Sequence, residues 1–404
     1  MPYEAFYGIP YAEPPVGKLR FENPVPYRGW KGYWDATYPR SACIQRNILI
    51  HTKPILGSED CLYLNVYRPS QLKHVKNLPV MVWLHGGSLV SSSSSPDEVG
   101  PEYFMDNGEV ILVTLNYRLG MFGFLCSGDG AVKGNFGLKD QQLALKWIAA
   151  NIHDFGGDPH SVTLFGKGAG ALSTHLHMMN PVSSSLFHRV ILMSGSALSH
   201  WGFSYDSALR FRLSAKYTGL EGWDTAPSYQ LKHKLKMLDP ISLVKALDLH
   251  FTLPLTPPIP LRPCIEGDWD GAFLKDDPRK IWAEGRYTPK PILIGTTVDE
   301  GTIVAPLTTN QTRLDLFNDN IYSFLPIQLD LDPKNSPYTF VPITTGVDIN
   351  LGVSHHDDLL YLFTTSAFFP IFNANTPEGL MADTYVKTFT HFAARGEVKT
   401  YLKD

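Results

Sequence analysis

The sequence of 404 residues has little cysteine, little net charge and no long hydrophobic run. Its 35 Lys and Arg residues and 39 Asp and Glu residues give a formal net charge of −4, which argues against charge-driven binding of nucleic acid or anionic membranes. The best candidate for a membrane span, residues 110–126, is interrupted by Asn116, Tyr117 and Arg118. No transmembrane segment is therefore predicted.

The four cysteines form no CxxC pair and no Cys/His cluster with zinc spacing. Four cysteines in a chain of this length also exclude a disulfide-dense scaffold. The sequence therefore predicts no metal and no cofactor. The N-terminus has neither the basic nor the apolar region of a signal peptide, so no signal peptide is expected in this chain.

What the sequence does contain is a large apolar fraction, 44% against 18% charged residues, which suffices to bury a large core. Five short apolar runs lack alternation with polar residues, which predicts strands buried on both faces of a mostly parallel sheet. Between two of them, Leu138 to Ile152 carries apolar residues at helical spacing. This order predicts an α/β fold. The five runs are 79–84, 110–115, 161–165, 190–193 and 291–294.

Residues from about 205 to 290 lack the alternating pattern of strands and helices that is predicted for the residues before them. Mixed helical character is followed there by the proline-rich stretch Leu253 to Pro263. We interpret this region as a helical cap inserted in the same domain. Length alone would allow two or three domains.

One strand is followed by Gly166-Lys167-Gly168-Ala169-Gly170 and then by a segment of helical character. That context is typical of a nucleophile elbow, in which the central serine of Gly-x-Ser-x-Gly stands on a sharp turn from strand to helix. The central residue of this sequence is Gly168, so there is no hydroxyl to attack a carbonyl.

At this point the sequence resembles the carboxylesterase/cholinesterase family (type-B carboxylesterases), and within it the insect esterases. The resemblance implies an α/β-hydrolase fold with a central, mostly parallel sheet flanked by helices. A lone Gly-x-Ser-x-Gly motif is weak support, but this many motifs in the family's order are specific. They are residues 5–12 and 14–17, 57–67, 116–120, 134–141, 155–159, 181–187 and 194–198.

The resemblance also implies a role for each site residue. Glu300 matches the family's acid and His355 its general base, in the chain order nucleophile, acid, histidine. Further positions match the family's oxyanion hole and its N-terminal disulfide, whereas Cys126 and Cys264 do not match the family's second cysteine pair. These positions are Gly87, Ser88 and Ala169 for the oxyanion hole, and Cys43 and Cys61 for the disulfide. Independently of the resemblance, Asn310-Gln311-Thr312 is a sequon that permits glycosylation.

From these residues we predict a protein of the carboxylesterase family that is catalytically impaired or inactive. It would keep a pocket for a hydrophobic ester or lipid-like ligand, or a protein-binding role. Two alternatives remain open: a working hydrolase that uses water activated by His355 and Glu300, or another serine such as Ser173 or Ser196; and a neuroligin-like adhesion module, since neuroligins also carry glycine at the nucleophile position. Lys167 is interpreted as a solvated or paired lysine, and the serine run 91–95 as a flexible loop.

The sequence also departs from the family's usual length. Only 55 residues separate Glu300 from His355, and N- and C-terminal family segments are not visible in residues 1–404, which we interpret as a single domain. The Cys43/Cys61 match and the sequon favour an extracellular location, whereas the lack of a visible signal peptide leaves a cytoplasmic one open.

Overall fold

The computed structural model describes residues 2–46, 54–72, 77–199, 201–251, 259–298, 300, 362–364, 371–373 and 375–398. Its central feature is a seven-stranded sheet with the strand order β1-β2-β4-β3-β5-β6-β7. The strands are β1 (Tyr3–Pro10), β2 (Tyr63–Pro69), β3 (Leu78–Leu84), β4 (Ile111–Leu115), β5 (Gly157–Lys167), β6 (Arg189–Met193) and β7 (Ile292–Gly295).

The strands β3 to β7 are parallel to one another, whereas β2 pairs with β4, and β1 with β2, in antiparallel fashion. All five predicted apolar runs are strands of this parallel part. On β3, alternate residues face two different cores: Val80 and Val82 lie in one hydrophobic cluster, and Met81 and Trp83 lie in the other. Both faces of the strand are therefore covered, which is why its sequence does not alternate.

The strand β7, which is the last strand of the sheet in the described part of the chain, departs from the prediction of burial on both faces. Ile294 is 65% exposed and Ile292 is 37% exposed, although the strand pairs with β6 along its length. An apolar run by itself does not distinguish a central strand from an edge strand, because both read as short hydrophobic segments.

Helices cover the sheet and occupy the connections. The helices described are α1 (Glu102–Asn107), α2 (Gly120–Phe124), α3 (Phe136–Asn151), α4 (Ala169–Met179), α5 (Pro181–Ser184), α6 (Ser207–Tyr217), α7 (Ser228–Met237), α8 (Pro240–Asp248), α9 (Pro278–Ala283) and α10 (Pro377–Arg395). The predicted helix 138–152 is confirmed as α3, shifted by a residue or two. Within these described segments, no helix has the length and apolar character needed to cross a membrane.

The helices α6 to α9 lie between β6 and β7 in the chain, in the region predicted to be a cap. A disulfide between Cys126 and Cys264 ties this region to the segment that precedes α3. The second disulfide joins Cys43 and Cys61, as the family resemblance implied. The Cys126–Cys264 bond was not predicted, because these two cysteines are 138 residues apart and match no motif.

Candidate active site

The candidate site lies where four neighbouring parallel strands end. The loop Gly86–Ser88 follows β3, Gly168 follows β5, Ser194 follows β6 and Glu300 comes shortly after β7. Carboxyl ends of parallel strands share one edge of a sheet, and ligands of open α/β sheets bind at that edge. The topology therefore brings together segments that are far apart in the chain.

Gly168 occupies a sharp turn between β5 and α4, with φ 54° and ψ −114°. Its N–H donates a hydrogen bond to the Met193 carbonyl (2.9 Å), and its own carbonyl accepts one from the Leu172 N–H (2.9 Å). The positive φ strains any residue with a Cβ, whereas glycine adopts it readily. The turn thus has the backbone shape of a nucleophile elbow without a side chain at its centre.

The turn is packed tightly against neighbouring backbone. A Cβ on Gly195 would clash with the Gly168 carbonyl, and a Cβ on Gly170 would clash with the Leu84 carbonyl. These glycines therefore permit the close approach of β3, β5 and the loop after β6.

The loop after β3 has three consecutive residues with positive φ: Gly87 (88°), Ser88 (57°) and Leu89 (59°). The Gly87 carbonyl accepts hydrogen bonds from the N–H groups of Val90 and Ser91 (both 3.0 Å), which closes the loop into a tight turn. Ser88 thus adopts the left-handed conformation in spite of its Cβ. Among the described residues, the backbone N–H groups of Gly87, Ser88 and Ala169 meet no acceptor, so they are available as donors to a ligand oxygen.

The Glu300 carboxylate is held from two sides. The Ser194 hydroxyl and the Thr297 N–H (2.8 Å) both donate to its Oε1. Ser194 itself has a φ of 52° and donates its N–H to the Gly295 carbonyl (2.9 Å), so the ends of β6 and β7 fix this arrangement. His355 and Asn310 lie outside the described residues.

His85 begins the motif that the resemblance matches to the oxyanion-hole loop, and the sequence assigned its side chain no role of its own. His85 is buried and stacks on Tyr117 (4.3 Å between ring centroids), whose hydroxyl donates to the His85 carbonyl (2.6 Å). The His85 Nδ1–H donates to the Gly86 carbonyl (3.0 Å). Burial lowers the pKa of His85 to about 4, so it is neutral near pH 7 and acts on loop geometry rather than as a charged group.

The two alternative serines have different surroundings. Ser173 is fully buried, and its hydroxyl donates to the Ala169 carbonyl (3.0 Å), as is common inside helices. Ser196 is half-buried, and its Oγ lies 3.1 Å from Nδ1 of His175. The Ala197 N–H also points to that nitrogen (3.3 Å), so Nδ1 accepts and the Ser196 hydroxyl donates.

His175 is nevertheless a poor general base. Burial lowers its pKa to about 4, well below the pH at which an ester hydrolase needs a proton acceptor. The pairing of Ser196 with His175 was not predicted, because the two residues are 21 positions apart and on different elements.

The serine run 91–95 and Lys167 are more buried than the sequence analysis predicted. The prediction of a flexible loop at 91–95 is wrong: Ser91, Ser93 and Ser94 are buried, and the Asn116 side chain accepts hydrogen bonds from Ser94. Lys167 is fully buried at the end of β5, so it is not a solvated lysine. Polar composition alone does not reveal such burial, because tertiary hydrogen bonds can compensate for the loss of water.

No metal centre emerges from the described part of the chain, where no group of three or more His, Cys, Asp and Glu side chains could hold an ion. The polar groups at the site are instead backbone N–H donors, hydroxyls and one carboxylate that accepts hydrogen bonds. Such a set can polarise a carbonyl and orient a histidine, but it holds no covalent nucleophile at Gly168.

Comparison with known proteins identifies relatives over most of the chain. The sequence model of the carboxylesterase family matches residues 1–332. Juvenile hormone esterase of Tribolium castaneum is 38% identical over 335 residues, covering 81% of this chain and 56% of that protein, and Esterase E4 of Myzus persicae is 39% identical over 333 residues, covering 81% and 58%. The chain thus spans less than two thirds of the length of these relatives.

Among solved structures, the crystal structure of juvenile hormone esterase from Manduca sexta, with OTFP covalently attached, superposes with a TM-score of 0.83 and 25% identity. The superposition covers 97% of this chain and 86% of that one.

Proposed function

The chain belongs to the carboxylesterase family, and from that premise we propose that it binds a hydrophobic ester or lipid-like ligand without hydrolysing it. The observation that carries this proposal is Gly168, a glycine at the centre of an elbow between β5 and α4. Glycine offers no atom that could form an acyl-enzyme, so the covalent step of ester hydrolysis has no starting point.

The expected loss of rate is large because the members of a catalytic triad act as a unit. Removal of the nucleophile from such a site costs on the order of 10⁶ in kcat. The Manduca sexta juvenile hormone esterase carries OTFP covalently attached in its crystal structure. Gly168 leaves this chain without the hydroxyl that the family resemblance assigns to such a bond.

The rest of the site supports binding. Three backbone N–H donors at Gly87, Ser88 and Ala169 are available to a ligand carbonyl, and Glu300 is held in place by Ser194 and Thr297. In this proposal His355 takes the base position, as the family motif implies. In this proposal the site retains the groups that stabilise charge, which are the N–H donors, the acid and the base. It lacks the nucleophilic hydroxyl.

The decisive experiment restores the hydroxyl. Gly168→Ser and Gly168→Ala add the same Cβ to the strained turn, and only the first adds an oxygen, so alanine is the matched control. With p-nitrophenyl butyrate as substrate, we expect no turnover from the parent protein or from Gly168→Ala, and measurable turnover from Gly168→Ser. Turnover of the parent protein at the rate of an ordinary esterase, abolished by His355→Ala, would contradict the proposal.

A second candidate function, hydrolysis through Ser196, is favoured by one observation, its hydrogen bond to His175. The low pKa of His175 counts against it. Incubation with a fluorophosphonate followed by mass spectrometry separates the two candidates: our proposal expects no labelled serine, whereas stoichiometric label on Ser196 would establish the alternative.

We also propose an extracellular location. Two disulfides are typical of oxidising compartments, and one relative, 36% identical over 334 residues, is named Venom carboxylesterase-6 of Apis mellifera. Glycosylation of Asn310 is part of this proposal. Expression through the secretory route of insect cells, with Asn310→Gln as control, should give a glycosidase-sensitive mobility shift in the parent protein alone.

A further inference from the structure

An apolar cavity lies between α8, α2 and the segment Ile44–Arg46. Its volume is about 10 Å³, which a single water molecule fills, so α8 closes it against an organic ligand. Apolar side chains form most of its wall: Val90, Met121, Phe122, Leu243, Leu247 and Phe251.

The cavity lies next to the loop that carries Gly87 and Ser88. Val90 stands two residues after Ser88 in the loop that follows β3, and the Gly120 N–H at the start of α2 donates to the Leu89 carbonyl (2.7 Å). On the other side, a Cβ on Gly120 would lie 2.6 Å from a methyl group of Leu247, so α8 approaches closely.

Arg46 brings a positive charge to the cavity wall. Its Nη1 lies 3.0 Å from Oδ2 of Asp248, the last residue of α8, and the two side chains are 24% and 30% exposed. The Nε of Arg46 is buried and has no hydrogen-bond acceptor among the described residues. The guanidinium thus keeps an unused donor, and its carboxylate partner belongs to the helix that closes the cavity.

We propose that this cavity is the closed form of a binding site for an apolar chain with a carboxylate head, such as a medium-chain fatty acid. Asp248 then occupies the position on Arg46 that the ligand carboxylate takes. The inference rests on the proposed function, because it names the ligand class of a pocket that binds without hydrolysis.

A guanidinium binds a carboxylate through two parallel N–H donors, and withdrawal of Asp248 frees Nη1 for that geometry. Movement of α8 away from α2 opens the apolar space and withdraws Asp248 in the same motion. An ion pair exposed to this extent stabilises the closed form only weakly, so a ligand that brings both a carboxylate and an apolar chain can replace it.

The test compares octanoate with octanol by isothermal titration calorimetry on the full chain. The two probes share one apolar chain and differ in the charged head. Asp248→Asn should bind octanoate about tenfold more tightly than the parent protein, with octanol unchanged. Asp268→Asn is the matched control, because it removes the same charge from a carboxylate that is 91% exposed and paired with Lys275; it should bind as the parent does.

Two substitutions of Arg46 complete the experiment. Arg46→Met should abolish the preference for octanoate over octanol, and Arg46→Lys should keep part of it. Octanol binding reports that the cavity is intact in each variant. Equal affinity of Asp248→Asn for both probes, a preference that survives Arg46→Met, or no octanoate binding to any variant would overturn the inference.

Octanoate is not an ester, so this outcome does not depend on hydrolysis. Esterase turnover by the parent protein would refute the proposed function and leave the octanoate result standing. Failure of the octanoate test would leave the elbow argument untouched.

Discussion

The hydroxyl of Ser194 donates a hydrogen bond to the carboxylate of Glu300, although 106 residues separate the two in the chain. Ser194 follows β6 and Glu300 follows β7, and the two strands are parallel neighbours. The contact is therefore a direct product of sheet topology. It fixes one oxygen of the carboxylate and, with the Thr297 N–H, orients the group that the family resemblance assigns as the acid.

Ser194→Ala should weaken any esterase activity that Gly168→Ser restores. A hydrogen bond to a charged group contributes about 1.5–3 kcal/mol, so kcat should fall roughly 10- to 100-fold. The measurement is the pH–rate profile of the double variant against Gly168→Ser alone, with Ser185→Ala as an exposed control. A rate unchanged by Ser194→Ala would mean that Ser194 does not position Glu300.

Asp140→Asn should destabilise the fold strongly. Arg118 donates from Nε (2.7 Å) and Nη2 (2.6 Å) to the two carboxylate oxygens of Asp140, and the side chains are 3% and 0% exposed. Breaking such a pair leaves a buried charge uncompensated, at about 3–5 kcal/mol of unfolding free energy. Urea unfolding measures the difference, and Asp268→Asn should change it by less than about 0.5 kcal/mol.

Stability should fall as the solution is acidified from about pH 6.5. Four buried histidines have depressed pKa values, about 4 for His85 and His175 and about 3 for His177 and His250, with burial as the main cause. A histidine whose folded pKa lies below its unfolded value of about 6.5 binds fewer protons in the folded state. Such a histidine therefore leaves the free energy of unfolding at its full value above about pH 6.5 and lowers it as the pH falls toward the folded pKa. The loss is about 2 kcal/mol per residue at pH 5.

The measurement for this pH dependence is urea unfolding at pH 7 and pH 5. His177→Gln should reduce the difference between the two pH values, whereas the exposed His233→Gln should not. An equal pH dependence for the His177 variant and the parent would contradict the assignment to buried imidazoles.

The two disulfides should contribute unequally to stability. Cys126–Cys264 closes a separation of 138 residues and Cys43–Cys61 one of 18. In the chain-entropy description the longer loop gives about 5 kcal/mol and the shorter about 3. Urea unfolding of the two double alanine variants measures the contributions, and the larger loss is expected from Cys126→Ala with Cys264→Ala. Thiol labelling of the unfolded, unreduced parent should find no free cysteine; labelled thiols would refute the pairing.

The strands and the elbow could be predicted because their signals are local. A continuous apolar run such as 79–84 or 161–165 specifies a strand covered on both faces, and a glycine between strand and helix specifies a tight turn. The structure contains both features, with the elbow at Gly168. The exposure of Ile294 on β7 could not be predicted, because it depends on the position of the strand in the sheet and not on the run itself.

The hydrogen-bond and disulfide partners of individual side chains also could not be predicted from the sequence. Ser94 looked like a member of a loose serine run, yet Asn116 makes it a buried, satisfied group. Cys126 matched no motif, yet it bonds Cys264. Such contacts join residues that are far apart in the chain, so they cannot be predicted from amino-acid composition.

The sequence by itself determined the family, the α/β order of strands and helices, and the lack of a hydroxyl at residue 168, since each depends on residue identity and local spacing. The tertiary structure alone decided that Ser194 holds Glu300, that Ser196 has a histidine partner of low pKa, and that Asp248 pairs with Arg46 beside a small apolar cavity. Those relationships arise because a parallel sheet gathers the ends of distant strands at one edge, and because the helices that connect the strands pack against segments far away in the chain.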